Sequence, residues 1–150
     1  MYMVKHISFF IFLLLQFAAP AQFRVKEIKG GTDPTKSRLI FPVFISNNKI
    51  VDKKINDYLQ TETFDTTASQ TSGKKMLDEA KYIPGDSGQS GYTNMSYTIE
   101  INNKNMLSVI LEIESMGAYP EYYERYFSFD SKNGEPLSSK EMFTEEGIFE

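Results

Sequence analysis

From Tyr97 to Glu114 the chain alternates apolar and polar residues, and this alternation constrains the architecture more than any other feature. Tyr97, Ile99 and Ile101 interleave with Thr98, Glu100 and Asn102. After Asn103-Lys104-Asn105, Leu107, Val109, Leu111 and Ile113 interleave with Ser108, Ile110, Glu112 and Glu114. A period of two puts one set on a buried face and the other towards solvent, so the segment reads as a β-hairpin with one buried face. A third strand is expected from Tyr122 to Asp130. It closes on Ser131-Lys132-Asn133-Gly134, where Asn-Gly accepts a positive φ.

The first half reads as strands followed by helices. Phe23 to Ile28 is an edge strand ending at Gly30-Gly31, and Arg38 to Ile45 is a second strand. Pro42 implies an edge position or a bulge in that strand, because proline cannot donate to a ladder. Asn47 or Asn48 caps a helix through Leu59 or Gln60, with Ile50, Ile55, Tyr58 and Leu59 on one face and Asp52, Lys53, Lys54, Asn56 and Asp57 around the rest. Thr61 to Gly73 is polar and turn-like. A short helix follows from Lys74 to Lys81 with Met76, Leu77 and Ala80 inward, and Pro84 to Gly91 forms a loop. Ser138 or Ser139 caps a last helical turn carrying Met142 and Phe143. The expected class is α+β, an antiparallel sheet with helices packed on one face. Glu145 to Glu150 stop where a further helix begins, so either a C-terminally truncated domain or a short, poorly held final element is expected.

Residues 1–21 stand apart. A polar start carrying Lys5 leads into an apolar run from Ile7 to Phe17, and Ala19-Pro20-Ala21 supplies the small residues of a signal-peptidase site. The run of about 11 residues is short of the ~20 that span a bilayer. A cleaved signal peptide is therefore expected, followed by a single domain over residues 22–150. Export to the periplasm or the extracellular space follows, with no stable membrane insertion after cleavage.

Cleavage would remove Lys5 and leave 15 of the 16 basic residues against 20 acidic ones, a net charge of −5. Without a dense basic block, a nucleic-acid partner is not expected. The chain has no cysteine, and His6, its one histidine, lies in the signal segment. That excludes Ser-His-Asp and Cys-His nucleophile systems and the usual zinc ligand sets. The absent cysteine also excludes a lipoprotein anchor. No cofactor, metal or catalytic residue is assigned.

The richest candidate surface surrounds Pro120. Tyr119, Tyr122, Tyr123 and Tyr126 alternate with Glu121, Glu124 and Arg125. Tyrosine combines an apolar ring with a hydroxyl, which suits stacking on sugars or protein contact. Tyr119, Glu121, Tyr122, Tyr123 and Arg125 are taken as the binding candidates, weighed against simple packing of alternate residues into the sheet. Glu112 and Glu114, two apart on one strand face, or Glu121, would serve a carboxylate-dependent enzyme acting on cell-wall polysaccharide. Strand alternation instead makes Glu112 and Glu114 an ordinary solvated face. Asp130, Ser131, Asn133 and Glu135 are oxygen ligands in a pattern that is more often a hairpin turn than a calcium loop. A third alternative is a structural subunit of an envelope complex.

The segment from Tyr97 to Phe143 carries a resemblance. Its hairpin is followed by Met116-Gly117-Ala118-Tyr119-Pro120, then Tyr126-Phe127-Ser128-Phe129-Asp130, Asn133-Gly134-Glu135-Pro136-Leu137, and Met142-Phe143. This resembles the PdaC/RsiV-like exported domain of unknown function, found beside the polysaccharide deacetylase PdaC and in the outer part of the anti-sigma factor RsiV. Ile55-Asn56-Asp57-Tyr58-Leu59 is similar to a helix of that family. Tyr119 stands where the family commonly has histidine. The resemblance implies a non-catalytic binding or sensing module of the cell envelope, with an envelope protein (lysozyme by resemblance alone) or a cell-wall glycan as partner.

Overall fold

Asn103 closes the hairpin that the alternation predicts. Its side-chain oxygen accepts the N–H groups of Asn105 and Met106 at 2.9 and 3.0 Å, and its own N–H donates to the Met106 carbonyl. The computed structural model describes residues 22–30, 38–66, 73–83 and 90–138. Along the chain it contains β1 (Arg24–Gly30), β2 (Arg38–Ile45), α1 (Lys49–Phe64), α2 (Lys74–Ala80), β3 (Gly91–Asn102), β4 (Met106–Met116) and β5 (Pro120–Asp130). The strands form one sheet in the order β1-β2-β3-β4-β5, antiparallel except for β2–β3. This is the expected α+β class. The signal-peptide segment, the Gly31 side of the first turn, most of the Pro84–Gly91 loop and the helical turn at Met142 and Phe143 lie outside the described residues.

Leu107, Val109, Leu111 and Ile113 of β4 are fully buried, and across β5 they share a face with Phe127 and Phe129. β3 departs from a plain alternation. Its register against β4 shifts between Ile99 and Ile101, leaving Glu100 as an extra residue. Ile101 therefore lies opposite Ser108 on the outer face, away from Tyr97 and Ile99, whose face the sequence pattern had given it.

Asn48 caps α1, accepting from the N–H groups of Ile50 and Val51 at 3.1 and 3.4 Å. The buried stripe is Val51, Ile55 and Leu59, at a spacing of four, so Ile50 points outward and is 72% exposed. Asp52 is buried instead of solvated, because it meets the end of β2. There it accepts the N–H and hydroxyl of Ser46 at 2.7 and 2.6 Å and pairs with Lys49 at 3.2 Å. Burial raises its pKa, but the Ser46 hydroxyl and amide and the Lys49 ammonium outweigh this and hold it below the usual carboxylate range. The helix runs on to Phe64, beyond its expected end. Thr63 is buried there, and the Phe64 ring meets Phe41 and Tyr92 edge-on, with centroids 5.1 and 5.9 Å apart. Tyr58 packs edge-on against Phe127 and Phe129.

α2 sits on β1, where Gly30 allows the contact. A Cβ at that position would stand 2.4 Å from the Cβ of Leu77. Gly134 takes φ +74° in the turn after β5 and packs that turn against Val51 and Lys54 of α1.

The sheet has a narrow waist. β2 and β3 are paired only at Arg38↔Asn94 and Leu39↔Met95. Beyond that point Pro42 lies opposite Glu27 in an uninterrupted β1–β2 register, so its side towards β3 has no ladder to serve, and Pro42 occupies an edge position, not a bulge. Side chains close the rest of the gap. Asn102 accepts the N–H of Phe23 and donates to its carbonyl (2.9 and 2.8 Å), and the Tyr97 hydroxyl donates to Glu27 at 3.2 Å.

Candidate functional site

Successive residues of a strand point to opposite faces, so β5 divides the tyrosine cluster into two groups. Its register with β4 is unbroken from Met116↔Pro120 to Met106↔Asp130. Tyr122, Glu124 and Tyr126 lie opposite Glu114, Glu112 and Ile110 on the face away from the helices. Glu121, Tyr123 and Arg125 lie opposite Ser115, Ile113 and Leu111 on the helix side. Tyr119 is in the β4–β5 turn, 80% exposed.

On the open face Tyr122 and Tyr126 are 60% and 70% exposed, and both hydroxyls donate to Glu124. Tyr122 does so at 3.1 Å to one carboxylate oxygen and Tyr126 binds the other. The bond to Glu124 and its negative charge push both phenol pKa values up. Glu112 accepts from the Ser96 hydroxyl at 2.8 Å and stands opposite Glu124. The result is a solvent-facing ladder of two tyrosine rings with a carboxylate fixed between them, in a field of carboxylates.

The helix-side residues are engaged in holding the fold. Tyr123 is half-buried and packs on the core. Arg125 donates to the Glu62 carbonyl, approaches the Glu62 carboxylate at 3.4 Å, and lies over the Phe127 ring at 5.6 Å from its centroid. The Tyr92 hydroxyl donates to the Thr63 carbonyl at 2.8 Å. α1 has no basic residue in its last turn, so Arg125 and Tyr92, from two different strands, supply the donors its terminal carbonyls need. Burial pushes the Tyr92 phenol far above its ordinary range, and neighbouring Tyr123 adds to this. A cleft of about 460 Å³ opens beside this helix end, lined in part by Glu62, Thr63, Asp65, Tyr92 and Glu121.

The structure therefore brings Tyr122 together with Glu124 and Tyr126. It places Glu121, Tyr123 and Arg125 on the other side of the sheet. The carboxylates considered for polysaccharide chemistry divide in the same way, with Glu112 and Glu114 on the open face and Glu121 on the helix side. Asp130 and Asn133 each give one side-chain oxygen to the turn, accepting the N–H groups of Lys132 and Glu135 at 2.7 and 2.9 Å, while Glu135 pairs with Lys54. Among the described residues no group of three or more His, Cys, Asp or Glu is placed to hold a metal ion, and no helix is long and apolar enough to cross a membrane. Glu124 and Tyr126, which are not among the binding candidates read from the sequence, are the partners of Tyr122. The i, i+2, i+4 spacing of a strand is the signal that joins the three.

No protein-family model and no curated protein matches the chain. Among solved structures it is similar to the crystal structure of a member of the DUF3298 family from Bacteroides fragilis, with 14% identity and a TM-score of 0.47. The match covers 83% of this chain and 60% of that one. The neighbour thus belongs to the PdaC/RsiV-like domain family.

Proposed function

We propose that the chain is an exported, non-catalytic binding module of the PdaC/RsiV-like family. It acts in the periplasm or at the cell surface and recognises an envelope protein or a cell-wall glycan. The observation that carries this reading is the exposed ladder Tyr122–Glu124–Tyr126, with Tyr119 beyond its end. Flat rings offer stacking area at a low cost in side-chain entropy, and a carboxylate held between them accepts hydroxyl or amide donors from whatever docks. The ladder faces away from the helices, so a partner can reach it without disturbing the core. The N-terminal apolar run followed by Ala19-Pro20-Ala21 supports export.

The test is retention of the purified chain on insoluble peptidoglycan and on immobilised lysozyme, beside a Tyr122→Ala/Tyr126→Ala variant with an unchanged unfolding midpoint. Retention of the parent and its loss in the variant are expected. Equal retention of both, or of neither, would remove the ladder from the reading. Release of soluble sugar by the parent would overturn the non-catalytic assignment.

A further inference from the structure

β5 ends the sheet, and among the described residues half of its outer backbone has no partner. The Ser128 carbonyl accepts the Leu137 N–H at 2.8 Å, and the Asp130 N–H donates to the Glu135 carbonyl at 2.9 Å, so these positions direct their polar groups away from β4. Because the β4–β5 register is unbroken, the same orientation recurs at Tyr126, Glu124 and Tyr122. Among the described residues no strand pairs with those three. Pro120 occupies an outward position too, where its missing N–H takes nothing from the β4 ladder.

The other edge of the sheet is guarded differently. β1 carries Arg24, Lys26, Glu27 and Lys29 among its seven residues, the charge-rich composition that discourages strand addition. The open half of β5 carries three tyrosines, with Glu121 and Arg125 placed symmetrically about Tyr123.

We propose that the occupant of this edge is a second copy of the chain, added antiparallel across a twofold axis at Tyr123, so that one sheet runs through both copies. Charge complementarity selects this register. Outward-facing backbone must meet outward-facing backbone, which leaves few centres. A centre at Glu124 sets two carboxylates face to face, and one at Arg125 sets two guanidiniums face to face. A centre at Tyr126 needs Ser128, already bonded to Leu137, and one at Tyr122 leaves Tyr126 beyond the start of the other copy's β5. A centre at Tyr123 places Arg125, which keeps its bonds to Glu62, opposite a second carboxylate, Glu121 of the partner subunit, and the symmetry repeats that contact. Tyr122 and the partner's Glu124 exchange backbone hydrogen bonds, and the Tyr126 N–H reaches the carbonyl of the partner's Pro120. On the open face the two tyrosine ladders then join. This assembly does not depend on what the ladder binds.

Three measurements on the full chain, purified after expression with its own N-terminal segment, test the pairing. Sedimentation or light scattering at about 10–100 µM is expected to give twice the monomer mass. Glu121→Arg is expected to raise the dimer dissociation constant by about tenfold or more, since it turns both symmetric attractions into repulsions. The chain has no native cysteine, and facing non-hydrogen-bonded strand positions lie within disulfide reach. Tyr123→Cys is therefore expected to cross-link the two copies on mild oxidation, whereas Thr98→Cys on β3 is not. A monomer throughout the concentration range overturns the proposal. So does a dimer indifferent to Glu121→Arg, or one in which Thr98→Cys cross-links as readily as Tyr123→Cys.

Discussion

Asn56 holds Phe44 by both backbone groups: its side-chain oxygen accepts the Phe44 N–H and its side-chain nitrogen donates to the Phe44 carbonyl, each at 2.8 Å. An amide side chain here does the work of a neighbouring strand. β2 has lost its pairing with β3 by this point, and Asn56 reaches from α1 to satisfy what the ladder leaves unpaired. Truncation to Asn56→Ala should cost about 2–3 kcal/mol in urea unfolding, the scale of two stranded backbone groups. Asn56→Asp should recover little at neutral pH, because a carboxylate in place of the donor faces the Phe44 carbonyl. A cost within a few tenths of a kcal/mol for Asn56→Ala would show that water replaces both bonds.

Asp52 makes stability pH-dependent on the acid side. Its folded pKa is lowered relative to the unfolded chain, so its contribution is fully present above the unfolded value, ~3.9, and is lost as pH falls through the folded value. In Asp52→Asn one oxygen still accepts from Ser46, and Asp52→Ala strands the Ser46 N–H and leaves its hydroxyl only the Asn48 carbonyl, at 3.4 Å. The alanine change should therefore cost more, about 1–3 kcal/mol at pH 7. Urea midpoints from pH 7 down to 2 should show a shallower acid loss in Asp52→Asn than in the parent; parallel curves would exclude Asp52 as its source.

Gly30→Ala tests a close approach. The added methyl meets the Leu77 Cβ, an atom fixed to the α2 backbone, so the helix must move as a unit. A loss of about 1–3 kcal/mol is expected, the range of overpacking. Hydrogen exchange should show reduced protection in α2 while β4 keeps its own. Unchanged α2 protection would mean the hairpin yields instead.

The end of α1 depends on donors from the sheet. Arg125→Ala and Tyr92→Phe should each speed amide exchange in the last turn of α1 and cost about 1 kcal/mol. Arg125→Lys should recover only part, since a single ammonium replaces a planar group that contacts both the Glu62 carbonyl and carboxylate. If Arg125→Ala leaves the helix end untouched, its role lies elsewhere.

Glu124 governs the ionisation of the open-face tyrosines. Glu124→Gln removes the negative charge that opposes their deprotonation, so their phenol pKa values should fall towards the ordinary value. Alkaline ultraviolet titration reads this as an earlier rise in phenolate absorbance. An unchanged curve would mean that the two hydroxyls do not rest on Glu124 in solution.

The contrast between legible and illegible features lies in how far apart the determining residues are. The buried face of β4 and the Asn48 cap were readable because each is decided within a few neighbours. Glu100 was not. Tyr97, Ile99 and Ile101 keep a period of two straight through the bulge, and only the opposing register on β4 moves Ile101 to the other face. Asp52 read as solvated because charge usually means exposure, and its partner Ser46 belongs to the end of another element. Within the tyrosine cluster, nearness in sequence concealed distance in space, since Tyr122 and Tyr123 face opposite ways. Arg125 meets Glu62 across a separation of 63 residues, which no local pattern records.

The tie between Phe23 and Asn102 joins positions 79 residues apart. As the chain lengthens from its N-terminus, the β1–β2 hairpin is made first but cannot be fastened until β3 has been made in full. The β3–β5 meander, by contrast, closes through neighbours in sequence. Loops that long close slowly, and contacts between close neighbours form fast. The order of folding should therefore run against the order of synthesis: the late meander becomes the template, and the first-made hairpin is the last part to dock.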